Sequence, residues 1–198
     1  MSLTWLHISD FHIRGGDPYD REVVLKALVK SVGDYARGGL KPDLIVATGD
    51  IAFSGKASEY AEATKFFDDL LRAAGVERTF LFVIPGNHDV DRDAGEYLQR
   101  TLETREKADA YFEPHRLRPH AQKLRAFNDW HDSYFRGIRA LPLDSTCGPI
   151  ELVELNGHRL GILPINCALF CQGEDDHNKL WVGRRCLDGA LQIGRAHV

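Results

Sequence analysis

The 198 residues contain no apolar run that approaches the ~18 residues of a membrane-spanning helix. The first residues, Met1 to Trp5, carry no basic cluster and lead straight into an apolar stretch. No secretory signal is therefore expected, and a cytoplasmic location is. Cysteine is scarce: Cys147, Cys167, Cys171 and Cys186 all fall late in the chain. In that setting they are expected to be reduced thiols rather than a disulfide framework. Cys167 and Cys171 could form half of a zinc site, but no second half follows. There are no internal repeats and no low-complexity segments. Charge of one sign is lacking too. Lys and Arg number 25 against 29 Asp and Glu, a net charge of -4, so no global attraction to nucleic acid or membrane is expected. What is present is a globular composition, 43% hydrophobic and 27% charged, at a length that can bury one core.

Three apolar runs, Leu3 to Ile8, Leu44 to Ala47 and Phe80 to Ile84, read as buried strands. Between them, helical spacing of Val24, Leu28, Val32 and Tyr35 predicts a helix over about 21–37, capped by Asp20 and stopped by Gly38-Gly39. A second helix is predicted over about 58–74, with Phe67, Leu70, Leu71 and Ala74 on its apolar face and Gly75 as its stop. The unit is β-α-β-α-β and implies a parallel sheet in an α/β domain.

From Asp93 to about Arg139 the chain is charged and helical in pattern. Leu124, Phe127, Trp130, His131 and Tyr134 fall along one side, as expected of an insertion packed near the mouth of a site. Within it, Arg116, Arg118, Lys123, Arg125, Arg136 and Arg139 stand against only Asp129 and Asp132. Such a run either attracts phosphate groups or is a solvated helix face. Beyond it, Ile150 to Leu155 and Arg159 to Ile165, joined by Asn156-Gly157, read as a β-hairpin with a two-residue turn that opens a second sheet.

Each of the three strands is followed by residues of metal-ligand type: Asp10-Phe11-His12, Gly49-Asp50 and Gly86-Asn87-His88-Asp89. The carboxyl ends of parallel strands are where open α/β sheets bind ligands. Carboxylate oxygen with imidazole nitrogen suits borderline divalent metals such as Mn, Fe, Zn or Ni. One carboxylate has two oxygens, so Asp50 could bridge two ions. Asn87 could ligate without adding charge. His88 is the type of group that donates a proton, and Asp89 beside it could orient the imidazole. The remaining histidines (His7, His115, His120, His131, His158, His177) lack partner spacing, and His7 is expected to be a packed core residue. Helix capping accounts for Asp17 and Asp20, and packing for Phe11, Phe53 and Trp181.

The order Asp-x-His, Gly-Asp, Gly-Asn-His-Asp resembles the calcineurin-like metallophosphoesterase superfamily over roughly Leu3 to Cys186. The words Leu6-His7-Ile8-Ser9-Asp10 and Thr48-Gly49-Asp50-Ile51-Ala52-Phe53-Ser54-Gly55 look like its bacterial, cyclic-nucleotide phosphodiesterase-like branch. The resemblance implies a four-layer α/β/β/α sandwich and two divalent metal ions. Asp10 and His12 would hold the first metal, Asp50 would bridge, Asn87 would hold the second, and His88 would protonate the leaving oxygen. It also implies hydrolysis of a phosphodiester or phosphomonoester by a metal-activated hydroxide, with a nucleotide the favoured kind of substrate and no membrane partner. Alternatives stay open. One is a nuclease of the same superfamily, nucleic acid being the less favoured partner. Another is a phosphoesterase-like sensor or interaction module at the N-terminus of a larger signalling or defence protein.

The sequence departs from the pattern in one respect. The family's later Gly-His-x-His segment does not occur, and Gly157-His158 lies too early in the order. His197 superficially resembles another of the later ligands, but Gln192 to Val198 reads as a translated sequencing adapter. The expectation is therefore an incomplete domain over 1–191 with its helical insertion at about 93–140, a non-native tail over 192–198, and a partial second sheet that leaves apolar surface exposed.

Overall fold

Three short parallel strands, in sequence order, carry the architecture: β1 (Trp5–Ile8), β2 (Leu44–Thr48) and β3 (Leu81–Ile84). The computed structural model describes residues 2–16, 21–94, 96–98, 102–171 and 180–196; Asp17, Asp20, His177 and His197 lie outside these. The register aligns Leu6 with Ile45 and Leu81, and Ile8 with Ala47 and Val83. Side chains alternate across a strand, so these two rows share one face. That face is covered by α1 (Arg21–Arg37) and α2 (Ala57–Ala74), which pack on each other. Right-handed crossovers between successive neighbouring strands place both connecting helices on the same side.

α2 is the central helix. Tyr60, Ala63, Phe66, Phe67, Leu70, Leu71 and Ala74 are buried at helical spacing, and each large one contributes about 1.5–3 kcal/mol by leaving water. Its start is fixed by Glu59, which accepts from the Lys56 and Ser54 amides and the Ser54 hydroxyl. Gly75, at φ 66°, ends it in the left-handed conformation. On α1 the observed stripe differs from the expected one. Val24 and Tyr35 are exposed, and Leu25, Leu28, Val29 and Val32 face the core. Both sets recur at helical spacing, and the denser aliphatic stripe is the one that meets α2.

The opposite face of the sheet is more open. Trp5 is 62% exposed, and His7 is exposed with its Nε2 2.6 Å from Thr48 Oγ1. The expectation of a buried first strand with a core His7 is therefore corrected. β1 is an edge strand with one covered face.

Beyond β3 come α3 (Arg105–Tyr111), α4 (Pro114–Leu117) and, after a 3-10 turn over Arg118–Leu124, α5 (Arg125–Tyr134). Thr104 caps α3 by accepting from the Lys107 amide. α5 lies against α2. Trp130 stacks between Tyr60 and Tyr134 with ring centroids 5.4 and 5.5 Å away, and it donates to Thr64 at 2.9 Å. Tyr134 donates to Asp68 at 2.7 Å. A second apolar cluster gathers Val90, Leu102, Ala108, Leu117, Leu124 and Ala168 to Cys171. The hairpin is present as β4 (Glu151–Leu155) and β5 (His158–Ile162), a small antiparallel sheet. Asn156 and Gly157 have φ of 51° and 79°, the signs a type I′ turn demands. The Asn156 amide donates to Asp43 at the foot of β2. α6 (Arg184–Ala196) follows. No helix among the described residues is long and apolar enough to cross a membrane.

Candidate metal centre

The chain segments leaving β1 and β2 continue side by side past the sheet. Asp10 N donates to the Gly49 carbonyl (3.3 Å), His12 N to that of Asp50 (2.9 Å), Ile13 N to that of Ile51 (2.9 Å), and Phe53 N to that of Ile13 (3.0 Å). This loop ladder forces unusual backbone. Asp10, His12 and Asp50 all have positive φ, at 62°, 47° and 53°. Apart from Asn156 in its turn, they are the only non-glycine residues so placed among those described. Left-handed backbone costs a residue with a Cβ about 1 kcal/mol or more and persists only where the surroundings impose it. The third segment is held by close backbone approach. A Cβ on Gly49 would lie 2.7 Å from Gly86 Cα, and one on Gly86 would collide with the Asp50 carboxylate and amide. Two glycines thus let the second and third loops touch.

This arrangement converges side chains. One donor atom each from His12, Asp50 and His88 lie within 4.8 Å of one another, and all three residues are half-buried. The rings of His12 and His88 meet edge to face at 4.4 Å. Asp50 Oδ1 accepts from the His88 amide at 2.9 Å, which fixes the carboxylate. Asp10 is exposed, with Oδ1 4.0 Å from His12 Nε2. Asn87 is half-buried in the 3-10 turn Asn87–Asp89. A mixed oxygen and nitrogen donor set of this kind fits a borderline divalent ion.

His88 is oriented by Phe53, not by Asp89. Its Nδ1 lies 2.9 Å from the Phe53 carbonyl, an acceptor only, so Nδ1 carries the proton and Nε2 is left for chemistry. Asp89 is fully buried and accepts from the amides of Ile51 (3.2 Å), Ala52 (2.9 Å) and Gly86 (2.8 Å) and from the Tyr60 hydroxyl (2.9 Å). The expectation that Asp89 orients the imidazole is corrected: neighbours in sequence, the two side chains face different partners. Asp89 pins the second loop to the third and both to α2. Burial pushes its pKa up to about 6, against the pull of the three amides and Tyr60. Burial, with the charge of Asp89, likewise raises that of Tyr60.

Sequence reasoning missed two residues here. Phe53, expected to be packing, is 38% exposed, with its ring 5.8 Å from that of His88 and 6.4 Å from that of His12. Arg14 lies over the same ring at 3.7 Å. The signal was its position three residues after Asp50, within one loop of the ligands.

The basic run is largely spoken for internally. Lys123 is buried and donates to the Cys171 carbonyl. Arg139 donates to the Thr79 and Leu81 carbonyls, pairs with Glu151, and lies over Phe82 at 4.0 Å, closing the free edge of β3. Arg118 pairs with Asp144 and Arg125 with Asp129, and Arg116 donates to the Ala110 carbonyl. Of the run, Lys123 and Arg139 are structural anchors, whereas Arg116, Arg118, Arg125 and Arg136 are exposed, as in the solvated alternative.

Comparison with known proteins matches residues 3–181 to a family described as calcineurin-like phosphoesterase. An uncharacterized metallophosphoesterase-like protein of Bacillus subtilis is 31% identical over 103 residues, 52% of this chain and 20% of that protein. A cAMP/cGMP dual specificity phosphodiesterase of Mycobacterium tuberculosis is 33% identical over 98 residues, 47% of this chain and 29% of that one. A probable glycerophosphodiester phosphodiesterase of Arcobacter nitrofigilis is 35% identical over 86 residues, 42% of this chain and 29% of that one. The aligned stretch therefore spans less than a third of each of these relatives.

Proposed function

We propose, from the premise that this chain belongs to the calcineurin-like phosphoesterase family, that it hydrolyses phosphodiesters at a centre of two divalent metals. The observation that carries the reading is the convergence of His12, Asp50 and His88 donor atoms within 4.8 Å at the ends of three parallel strands. Asp10 and His12 are assigned to one ion, Asp50 to both and Asn87 to the other. When bound, such ions lower the pKa of water and neutralise charge on the phosphate oxygens. Their identity within the Mn, Fe, Zn or Ni class is left to experiment.

The chain's own residues do the rest. His88, held through Nδ1 by the Phe53 carbonyl, presents Nε2 to the leaving oxygen and in its protonated form hands over the proton. Asp50 Oδ1, fixed by the His88 amide, keeps acid and ligand in one frame. Asp89 acts as a positioning residue through the Ile51, Ala52 and Gly86 amides. A diester is favoured over a monoester because two of the named relatives are phosphodiesterases, and a nucleotide diester over others because one of them acts on cAMP and cGMP.

The test is hydrolysis of bis-p-nitrophenyl phosphate and p-nitrophenyl phosphate with added manganese. Turnover of the diester should exceed that of the monoester. Asp50→Ala should abolish it, and His88→Ala should slow it by about 10²-fold or more, the scale of general acid catalysis. Unchanged turnover in Asp50→Ala would remove the two-metal reading.

A further inference from the structure

Phe53 joins the metal centre to a cation that no acid neutralises. Its ring lies 5.8 Å from that of His88 and 6.4 Å from that of His12, and the Arg14 guanidinium carbon stands 3.7 Å over it. The backbone beneath the pair is fixed. Ile13 N donates to the Ile51 carbonyl and Phe53 N to the Ile13 carbonyl, so Arg14 and Phe53 leave neighbouring segments of one loop ladder. Arg14 is exposed and lines a cavity of about 440 Å³ between α1 and α2. Three acids share that lining, and each is engaged by another cation: Glu22 by Lys26, Glu62 by Lys65 and Asp69 by Arg72. Among the described residues Arg14 forms no ion pair, whether with these acids or with Asp10 and Asp50, and donates no hydrogen bond.

A guanidinium stacks through its π face and binds through its rim of N–H groups. Contact with Phe53 therefore orients Arg14 without consuming a donor. A phosphate fits that rim, because two parallel N–H groups match two of its oxygens. Position selects which phosphate. The scissile one is assigned to the metal centre, and Arg14 neither pairs with nor hydrogen-bonds the ligand side chains there. The imidazoles and the guanidinium are linked through one aromatic ring, a span that suits phosphates separated by a sugar better than the shorter link of a diphosphate.

We propose that Arg14 is a specificity-determining residue that binds a second phosphate of the substrate, one sugar away from the phosphate being hydrolysed. The inference rests on the phosphodiesterase reading above and narrows its substrate to a nucleotide diester that carries a further phosphate. Phe53 supplies the platform that keeps the guanidinium turned toward it. The competing use of the same stack, a nucleobase laid on the outer face of the guanidinium, needs no second charge, and the test separates the two.

Thymidine 5′-(p-nitrophenyl phosphate) and its 3′-phosphorylated form share base, scissile bond and leaving group and differ only in the second phosphate. With manganese present, kcat/KM for release of p-nitrophenol should be higher for the 3′-phosphorylated diester by about tenfold or more, the scale of hydrogen bonding between charged groups. In Arg14→Ala the ratio of the two values should fall to near one. Arg14→Lys, which keeps the charge and loses the fork, should retain part of it. A ratio near one in the unsubstituted chain, or one that Arg14→Ala leaves unchanged because both diesters suffer alike, overturns the proposal and leaves the phosphodiesterase reading standing. A second arm needs no turnover. Calorimetry on the manganese-loaded chain compares thymidine 5′-monophosphate, thymidine 5′-diphosphate and thymidine 3′,5′-bisphosphate. The bisphosphate should bind tightest, by about tenfold over the monophosphate, and Arg14→Ala should erase that gap. If neither diester is hydrolysed, the phosphodiesterase reading fails and calorimetry alone judges Arg14. Equal binding of the three ligands, or tightest binding of the diphosphate, overturns the proposal.

Discussion

His131 gives the sharpest forecast for stability. It is fully buried on α5 with neither ring nitrogen hydrogen-bonded, and its ring lies 4.6 Å from that of Phe135 and 5.8 Å from that of Phe127. Burial, and secondarily the charge of Arg139, lowers its pKa to about 4. In the unfolded chain the value is about 6.5, so below that pH the unfolded state takes up a proton that the folded state refuses. The sign follows: stability is full above the unfolded value and is lost as pH falls toward the folded one. At pH 7 the loss is only about 0.2 kcal/mol, and at pH 5 it reaches about 2 kcal/mol by the same linkage. His131→Phe removes this acid penalty and two unpaired polar atoms while keeping a ring of similar size. For a chain of this length 1 kcal/mol is worth about 2–4 °C. The gap in melting temperature between His131→Phe and the unsubstituted chain should therefore widen by about 4–8 °C between pH 7 and pH 5. The assay is thermal unfolding by circular dichroism at both values. A gap of the same size at both would refute the assignment of a neutral, proton-refusing imidazole.

Three further outcomes are expected. Asp89→Asn puts an amide NH2 where backbone N–H groups need acceptors; it should cost about 2–4 kcal/mol in denaturant unfolding and slow turnover by displacing the second and third loops together. Gly86→Ala forces its methyl into the Asp50 carboxylate; calorimetry should show manganese affinity falling about tenfold or more, the scale of a disturbed ligand support. Asn156→Ala keeps left-handed backbone without an amide and loses the bond to Asp43, so it should destabilise by about 1–2 kcal/mol, read as a lower denaturant midpoint.

Much of the parallel half of the fold was legible because its signals are local. The apolar run of β2 is the central strand and that of β3 lies under cover although at an edge, and Gly75 does what its type suggests. The Asn156-Gly157 turn is legible for the same reason, since few residue pairs tolerate two successive positive φ values. β1 was misread because an apolar run does not disclose whether its strand will be central or an edge. The face of α1 was misread because two stripes share one period and tertiary packing chooses between them. At the metal centre, His12, Asp50 and His88 come together, as residues of ligand type at three strand ends should. The role of Asp89 was not legible, since proximity in sequence to His88 says nothing about which way a fully buried carboxylate turns. The basic run stayed open for a related reason: charge counts do not distinguish a solvated arginine from one, like Arg139, that seals a strand edge.

Positive φ at Asp10, His12 and Asp50 has a consequence for how such a gene would age. At each position glycine would relax the backbone, by about 1 kcal/mol, and remove the ligand. Selection for folding alone therefore favours glycine at the three places where selection for chemistry forbids it. In a lineage that kept the fold and abandoned the reaction, these positions should drift toward glycine ahead of the buried core. Under the proposed function, their side chains are ones that folding by itself has no reason to retain.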